Sequence, residues 1–175
     1  MNEQSQKHLA TFAGGCFWCV QHDFDHVIGV LSTSVGYTGG HTLHPTYQQV
    51  CEGTTGHVEA IQIEFDPHRI SYQELLTYFL RGIEPNRSAG QFCDIGTQYR
   101  PVIFYHNAEQ KQIAERVIQQ LESAMGPFAV AIEPSTAFYP AEEHHQKFYK
   151  KEPEHYERYT QGSGREKRLK DIWDK

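Results

Sequence analysis

Apolar residues along this chain fall into short runs and helical stripes divided by glycine-rich stretches. His8 to Ala13 is a short apolar run ending at Gly14 and Gly15, the pattern of a strand entering a tight turn. From Phe17 the apolar positions Val20, Phe24, Val27 and Ile28 recur at helical spacing, and Gly29 supplies a stop. Cys16 is thereby predicted at a helix N-terminus. His57 to Phe65 alternates, which predicts a strand with Glu59 on the same face as Ile61, Ile63 and Phe65. Ser71 and Glu74 form a capping box ahead of Leu75, Leu76, Phe79 and Leu80, predicting a helix that closes near Gly82. Pro101 to Tyr105 reads as a strand. Asn107 caps a long helix through Met125, with Ile113, Val117, Ile118 and Leu121 as its core stripe.

Elsewhere the pattern is weaker. Ser34 to Tyr47 is rich in Gly, Thr, His and Pro without periodicity and reads as a long ordered loop wrapping a site. Pro85 to Gly96 reads as a second irregular loop, Ala129 to Ile132 as a further strand, and Pro140 as the start of a fourth helical segment. After Pro153 the chain turns polar with no stripe, so residues 151–175 are expected to be a loosely attached tail on a core of about 8–150. Interleaved strands and helices in 175 residues predict one domain, 1–175, built as a sandwich of helices against a mixed sheet.

Composition narrows the partners. A hydrophobic share of 38% and an aromatic share of 13% fit a soluble globular protein. The net charge of −6 argues against a nucleic-acid surface, and the basic cluster Arg165 to Lys170 is interrupted by Glu166. No run approaches the ~20 apolar residues of a membrane span, and the polar start lacks a signal-peptide core, so a cytoplasmic monomer away from membranes is expected. Four cysteines are too sparse for a disulfide framework.

Gly14-Gly15-Cys16-Phe17-Trp18-Cys19 carries the chemistry. Free N–H groups and the dipole at a helix start stabilise a thiolate, the reactive form of cysteine. Cys19, three residues on, shares nearly the same helix face and is within reach of a disulfide with Cys16. Buried, inert thiols are the competing reading. Zinc needs four ligands, and Cys51 and Cys93 stand alone, so no metal is expected. Of the 11 histidines, the adjacent His144 and His145 cannot share one helical face and read as surface residues.

The string GGCFWC, then Gly36 to Gly40 (GYTGG), Pro45 to Cys51 (PTYQQVC), Thr55 to Glu59 (TGHVE), Phe65 to Pro67 and Asp94 to Arg100 (DIGTQYR), resembles the class A peptide methionine sulfoxide reductases in block order and spacing. The likeness covers roughly residues 8 to 150. It implies a two-layer α+β fold with a ferredoxin-like core, and Cys16 as the nucleophile. It further implies Phe17 and Trp18 as the pair holding the substrate methyl group, Glu59 as the acid, and Tyr47 and Tyr99 as phenols facing the sulfoxide oxygen. Asp94 belongs to the same pocket by this likeness, and no cofactor is implied.

These residue types suit the reaction. Reducing a sulfoxide needs protons at oxygen while a thiol attacks sulfur, and a carboxyl on the apolar face of a strand stays protonated through desolvation. Phenols add hydrogen bonds without charge. Attack by Cys16 leaves a sulfenic acid that condenses with a second thiol, and the disulfide is then reduced by a thioredoxin-like dithiol. Many relatives resolve through cysteines in a Gly-rich tail, but here no cysteine follows Cys93. Cys19 is favoured by local geometry, Cys93 is second, and Cys51 is a candidate for a buried structural thiol. The substrate is methionine sulfoxide, free or in oxidised proteins. Competing readings are a thiol-disulfide oxidoreductase built on C-x-x-C and a non-enzymatic sulfoxide-recognising or zinc-holding module.

Overall fold

The computed structural model describes residues 8–174. Of the polar start, residues 1–7 lie outside the described residues. Among those described, eight strands and seven helices follow one another along the chain. Strand β1 (His8–Ala13), helix α1 (Phe17–Phe24), strands β2 (Val30–Thr38) and β3 (Val58–Phe65), helix α3 (Tyr72–Leu80) and strand β6 (Val102–Tyr105) form the centre. The short helix α2 (Tyr47–Cys51) lies between β2 and β3. Two edge strands, β7 (Ala131–Pro134) parallel to β6 and β8 (Tyr139–Pro140) antiparallel to β2, complete a sheet of order β7-β6-β1-β3-β2-β8. Within it β6-β1-β3-β2 are all antiparallel neighbours, the βαββαβ arrangement of a ferredoxin-like core. The α+β sandwich expected from the sequence is thus present.

Alternation builds the two faces of the sheet. Ala10 and Phe12 of β1 and Ile61 and Ile63 of β3 are buried against α1, α3 and helix α4 (Ala108–Met125). Phe12 stacks on Phe79 of α3 at 4.7 Å and on Phe24 of α1 at 6.0 Å. Ala13, Val58, Ala60, Val102 and Phe104 face the other way into a smaller cluster. Glu59 is 2% exposed, on the helix-covered face. Caps act where the sequence puts them: Ser71 Oγ accepts from the Glu74 N–H at 3.0 Å, and Asn107 Oδ1 accepts from the Gln110 N–H at 2.9 Å.

Several boundaries differ from the sequence expectation. Helix α1 stops at Phe24, with Asp25 as its C-cap accepting from Thr33, Lys147 and Tyr149 at 2.6, 2.9 and 2.5 Å, and Ile28 beyond it is exposed. Ser34 to Thr38, expected as loop, completes β2. Gly36 is required there by contact, since a Cβ would fall 2.3 Å from the Tyr139 carbonyl oxygen of β8. The Pro85–Gly96 loop contains a hairpin, β4 (Gly90–Gln91) with β5 (Asp94–Ile95). Pro140 lies in β8, and helix resumes at a 3-10 turn, Glu143–His145, and α5 (Phe148–Lys151).

The expected loose tail is helix α6 (Pro153–Ser163) and helix α7 (Arg165–Trp173). Tyr156 is buried beside Cys19 and Phe148. Arg165 Nη2 donates to Asp23 Oδ2 at 2.5 Å and to the Gly82 carbonyl at 2.9 Å, and Arg168 bonds Glu84 at 2.8 Å. Arg165 and Arg168 of the basic cluster thus serve internal carboxylates and anchor α7 to the core.

Candidate active site

The turn between β1 and α1 places the first cysteine. Gly15 adopts φ +83, a left-handed backbone that favours glycine, and a Cβ there would meet the Gln91 side chain at 2.7 Å. Cys16 follows as the N-cap of α1 and is half-buried. The N–H of Phe17, the first of the helix, donates to Glu59 Oε1 at 3.2 Å. β3 therefore delivers its carboxyl to the helix start that carries Cys16. Glu59 Oε2 is buried without a partner among the described residues. Burial pushes this carboxyl up to about 8, with Phe17 N–H opposing and Asp94 adding to the rise.

Cys16 at the N-cap and Cys19 in the first turn of α1 stand as neighbours and shift each other in opposite directions. Burial holds the Cys16 thiol well above its ordinary value, and Cys19, Glu59 and Asp94 reinforce this. Cys19 moves the other way, first through the neighbouring Cys16, with Arg165 and Tyr156 assisting against burial. This corrects the expectation of a thiolate on Cys16 at rest. Burial and the nearby Glu59 and Asp94 outweigh what the helix start offers a thiolate.

The other predicted residues surround this pair. Tyr47 begins α2, where Thr46 and Gln49 form a capping box, and its N–H donates to Glu142 Oε2 at 3.0 Å. Cys51 lies one helical turn on from Tyr47 in α2. Tyr99 ends the 3-10 turn Thr97–Tyr99. Burial first, then Glu59, raises both phenols, so they remain neutral donors. Asp94 accepts from the Tyr159 hydroxyl of α6, and burial raises its carboxyl. Phe17 is buried against Tyr37, Tyr47 and His145 with ring centroids 5.8, 6.4 and 5.4 Å away. Trp18 is half-buried, stacked on Phe148 at 3.9 Å and met edge-on by Tyr159 at 5.7 Å. Cys93 and Cys51 are both exposed, which corrects the reading of Cys51 as a buried structural thiol.

Sequence reasoning missed four contributors. Glu142 also takes the Tyr37 hydroxyl at 2.8 Å, tying β2 to the start of α2. Gln146 bonds both backbone groups of Val35, at 3.0 and 2.8 Å. His145, assigned to the surface, is 3% exposed and accepts from Trp18 Nε1 at 3.1 Å. Tyr159 came from the segment read as a tail. Their segments have no apolar period, so only the Pro-bounded polar run after Pro140 marked their place.

The sequence profile described as peptide methionine sulfoxide reductase matches residues 8–175. The peptide methionine sulfoxide reductase MsrA of Listeria monocytogenes serotype 4a (strain HCC23) is 54% identical over 159 residues, covering 89% of this chain and 90% of that protein. Reduced Mxr1 from Saccharomyces cerevisiae superposes with a TM-score of 0.82 at 30% identity, covering 87% of this chain and 89% of that one. Mxr1 in complex with Trx2 shares the fold at a TM-score of 0.59 and 22% identity, over 81% and 85% of the two chains. A profile match over nearly the whole chain, and identity above one half to a full-length relative, establish that this protein belongs to the peptide methionine sulfoxide reductase family.

Proposed function

We propose that this protein reduces the S epimer of methionine sulfoxide, free or within oxidised proteins, through Cys16, as a repair enzyme of the cytoplasm. The observation that carries the reading is the pairing of Cys16 with Glu59 at one helix start, with Glu59 Oε2 buried, unpartnered among the described residues and raised to about 8. A protonated oxygen with no protein acceptor is what a sulfoxide oxygen needs.

In this reading Trp18 and Phe17 hold the S-methyl group, and Tyr47, Tyr99 and Asp94 surround the polar end. The sulfoxide oxygen ends on Cys16. The substrate sulfur is reduced to a thioether and the Cys16 sulfur is oxidised to a sulfenic acid. Glu59 gives its proton to the oxygen and takes up the proton that the Cys16 thiol releases, so the carboxyl is unchanged at the end of the step. Cys19 then attacks the sulfenic sulfur, an S–S bond forms, and the hydroxyl leaves as water with the Cys19 proton. An external dithiol of the thioredoxin class returns both thiols, taking the oxidation onto itself. The yeast relative solved with Trx2 supports that choice of reductant. No cofactor takes part, and a single copy of the chain suffices for these steps.

The test is turnover of separated S and R epimers by wild type and Cys16→Ser with dithiothreitol. The expected result is activity on the S epimer alone, abolished by the substitution. Activity on neither epimer would return disulfide exchange to first place.

A further inference from the structure

Glu84 follows α3, is 4% exposed and lies outside the residues assigned to the reaction. Its backbone and its side chain both bind the β4-β5 hairpin. The Glu84 N–H donates to Gln91 Oε1 at 2.5 Å, and its carbonyl accepts from Gln91 Nε2 at 2.8 Å. Its carboxylate accepts from the Phe92 N–H at 2.5 Å, from Arg87 Nη1 at 3.0 Å and, out of α7, from Arg168 Nε at 2.8 Å. Arg87 also donates to the Phe92 carbonyl at 2.7 Å, so both backbone groups of Phe92 are held. Burial opposes a charge on Glu84, yet Arg168, the Phe92 N–H and Arg87 keep its carboxyl below its ordinary value.

The hairpin needs such ties. It forms a two-stranded sheet apart from the six-stranded one, and a lone pair of strands is marginally stable in water. Gly90 pairs with Ile95 and Gln91 with Asp94, which leaves Phe92 and Cys93 as a two-residue turn. Phe92, the first of them, has φ +55, a left-handed backbone that this turn position normally gives to glycine or asparagine. Strain of this kind persists only where the surroundings over-determine it. Asp94 comes directly after the turn, and on the opposite strand Gln91 fills the space beside Gly15, just ahead of Cys16. We propose that Glu84 is a positioning residue whose carboxylate straps the strained Phe92–Cys93 turn and thereby sets the place of Asp94 in the pocket. The inference rests on the reading of Asp94 as a pocket residue. A pocket contact of that kind serves bound substrate and transition state alike, so displacing it weakens binding more than turnover.

Steady-state kinetics on the S epimer of methionine sulfoxide with dithiothreitol test the strap. Glu84→Gln keeps the shape and removes the charge, and KM is expected to rise about 3- to 10-fold, matching one net hydrogen bond, with kcat changed by less. Phe92→Gly relaxes the turn without the strap. By itself it is expected to leave KM at the wild-type value, and in the Glu84→Gln background to restore it. Tm is expected to stay low in that double variant, since glycine relieves the turn and does not replace the ion pairs. Recovery of KM without recovery of Tm thus separates positioning from packing. Arg87→Met removes the tie to the Phe92 carbonyl from a side chain that is 35% exposed, and so carries the same test without vacating a buried carboxylate. Its KM is expected to rise about 2- to 5-fold and to be reversed again by Phe92→Gly. A wild-type KM in Arg87→Met overturns the proposal, as does a raised KM that Phe92→Gly leaves in place. Asp94→Asn in the same assay keeps the two readings apart. If it leaves KM unchanged the pocket reading of Asp94 fails, and if it raises KM while Glu84→Gln does not, only the role of Glu84 fails.

Discussion

The backbone N–H of Phe17 and the carboxylate oxygen Oε1 of Glu59 are joined at 3.2 Å, so the acid on β3 caps the helix that begins after Cys16. The bond fixes one carboxyl oxygen and leaves the other buried, with no partner among the described residues. Glu59→Gln keeps an acceptor for Phe17 and removes the acidic proton. The kcat for methionine sulfoxide is expected to fall by about 10²- to 10⁴-fold, the usual contribution of a general acid.

The raised carboxyl also sets a pH dependence. Between its ordinary 4.5 and about 8 the folded protein holds a proton that the unfolded chain has released. The associated stability is fully present below 4.5 and is lost as pH rises through about 8. Urea titrations at about pH 4 and about pH 9 should show the wild type losing stability relative to Glu59→Gln across that interval. Single-turnover rates of the wild type should decline above about pH 8, and a flat profile from about pH 7 to 9 would remove Glu59 as the acid.

Cys19→Ser is expected to retain one round of methionine formation and to lose cycling with thioredoxin. The placement of Cys19 in the first turn of the helix that Cys16 caps motivates this. Quantifying methionine per enzyme without reductant, then steady-state turnover with thioredoxin, checks it. Cycling that survives in Cys19→Ser and disappears in Cys93→Ser would move the resolving role to Cys93.

Tyr159→Phe removes the hydroxyl that donates to Asp94 and the partner that opposes the upward pull of burial on that carboxyl. A loss of about 1–2 kcal/mol is expected for a hydrogen bond to a charged group. Thermal denaturation reads it directly, and a Tm within roughly 1 °C of wild type would show that the bond adds nothing.

Arg165→Ala strips the contacts to Asp23 and Gly82 from a guanidinium that is 16% exposed. The expected cost is about 2 kcal/mol, below the ~3–5 kcal/mol of a fully buried pair because Asp23 keeps partial solvation. It should also raise the thiol of Cys19, which Arg165 helps to hold down, and so slow thioredoxin-driven turnover at neutral pH. Equal rates of alkylation at Cys19 in both proteins would contradict that link.

What the sequence by itself determined was local or periodic. The strand of Glu59, the capping box at Ser71, the start of α1 after Cys16 and the burial of Glu59 all follow from spacing that a single element imposes on its own residues. Of the family blocks, GGCFWC, TGHVE and Phe65 to Pro67 lie in or beside such elements, whereas GYTGG, PTYQQVC and DIGTQYR lie in segments without that spacing. Only tertiary structure decided the rest. That the Phe17 N–H meets Glu59 depends on the register of β3 beside β1, which is a property of the sheet. Whether His145 is a surface residue depends on a segment folded back across Trp18, and whether Arg165 and Tyr159 belong to a tail depends on Asp23 and Asp94, 142 and 65 positions earlier. Such pairings leave no periodic trace, because a polar side chain that satisfies a distant carboxylate reads in sequence like one that faces water.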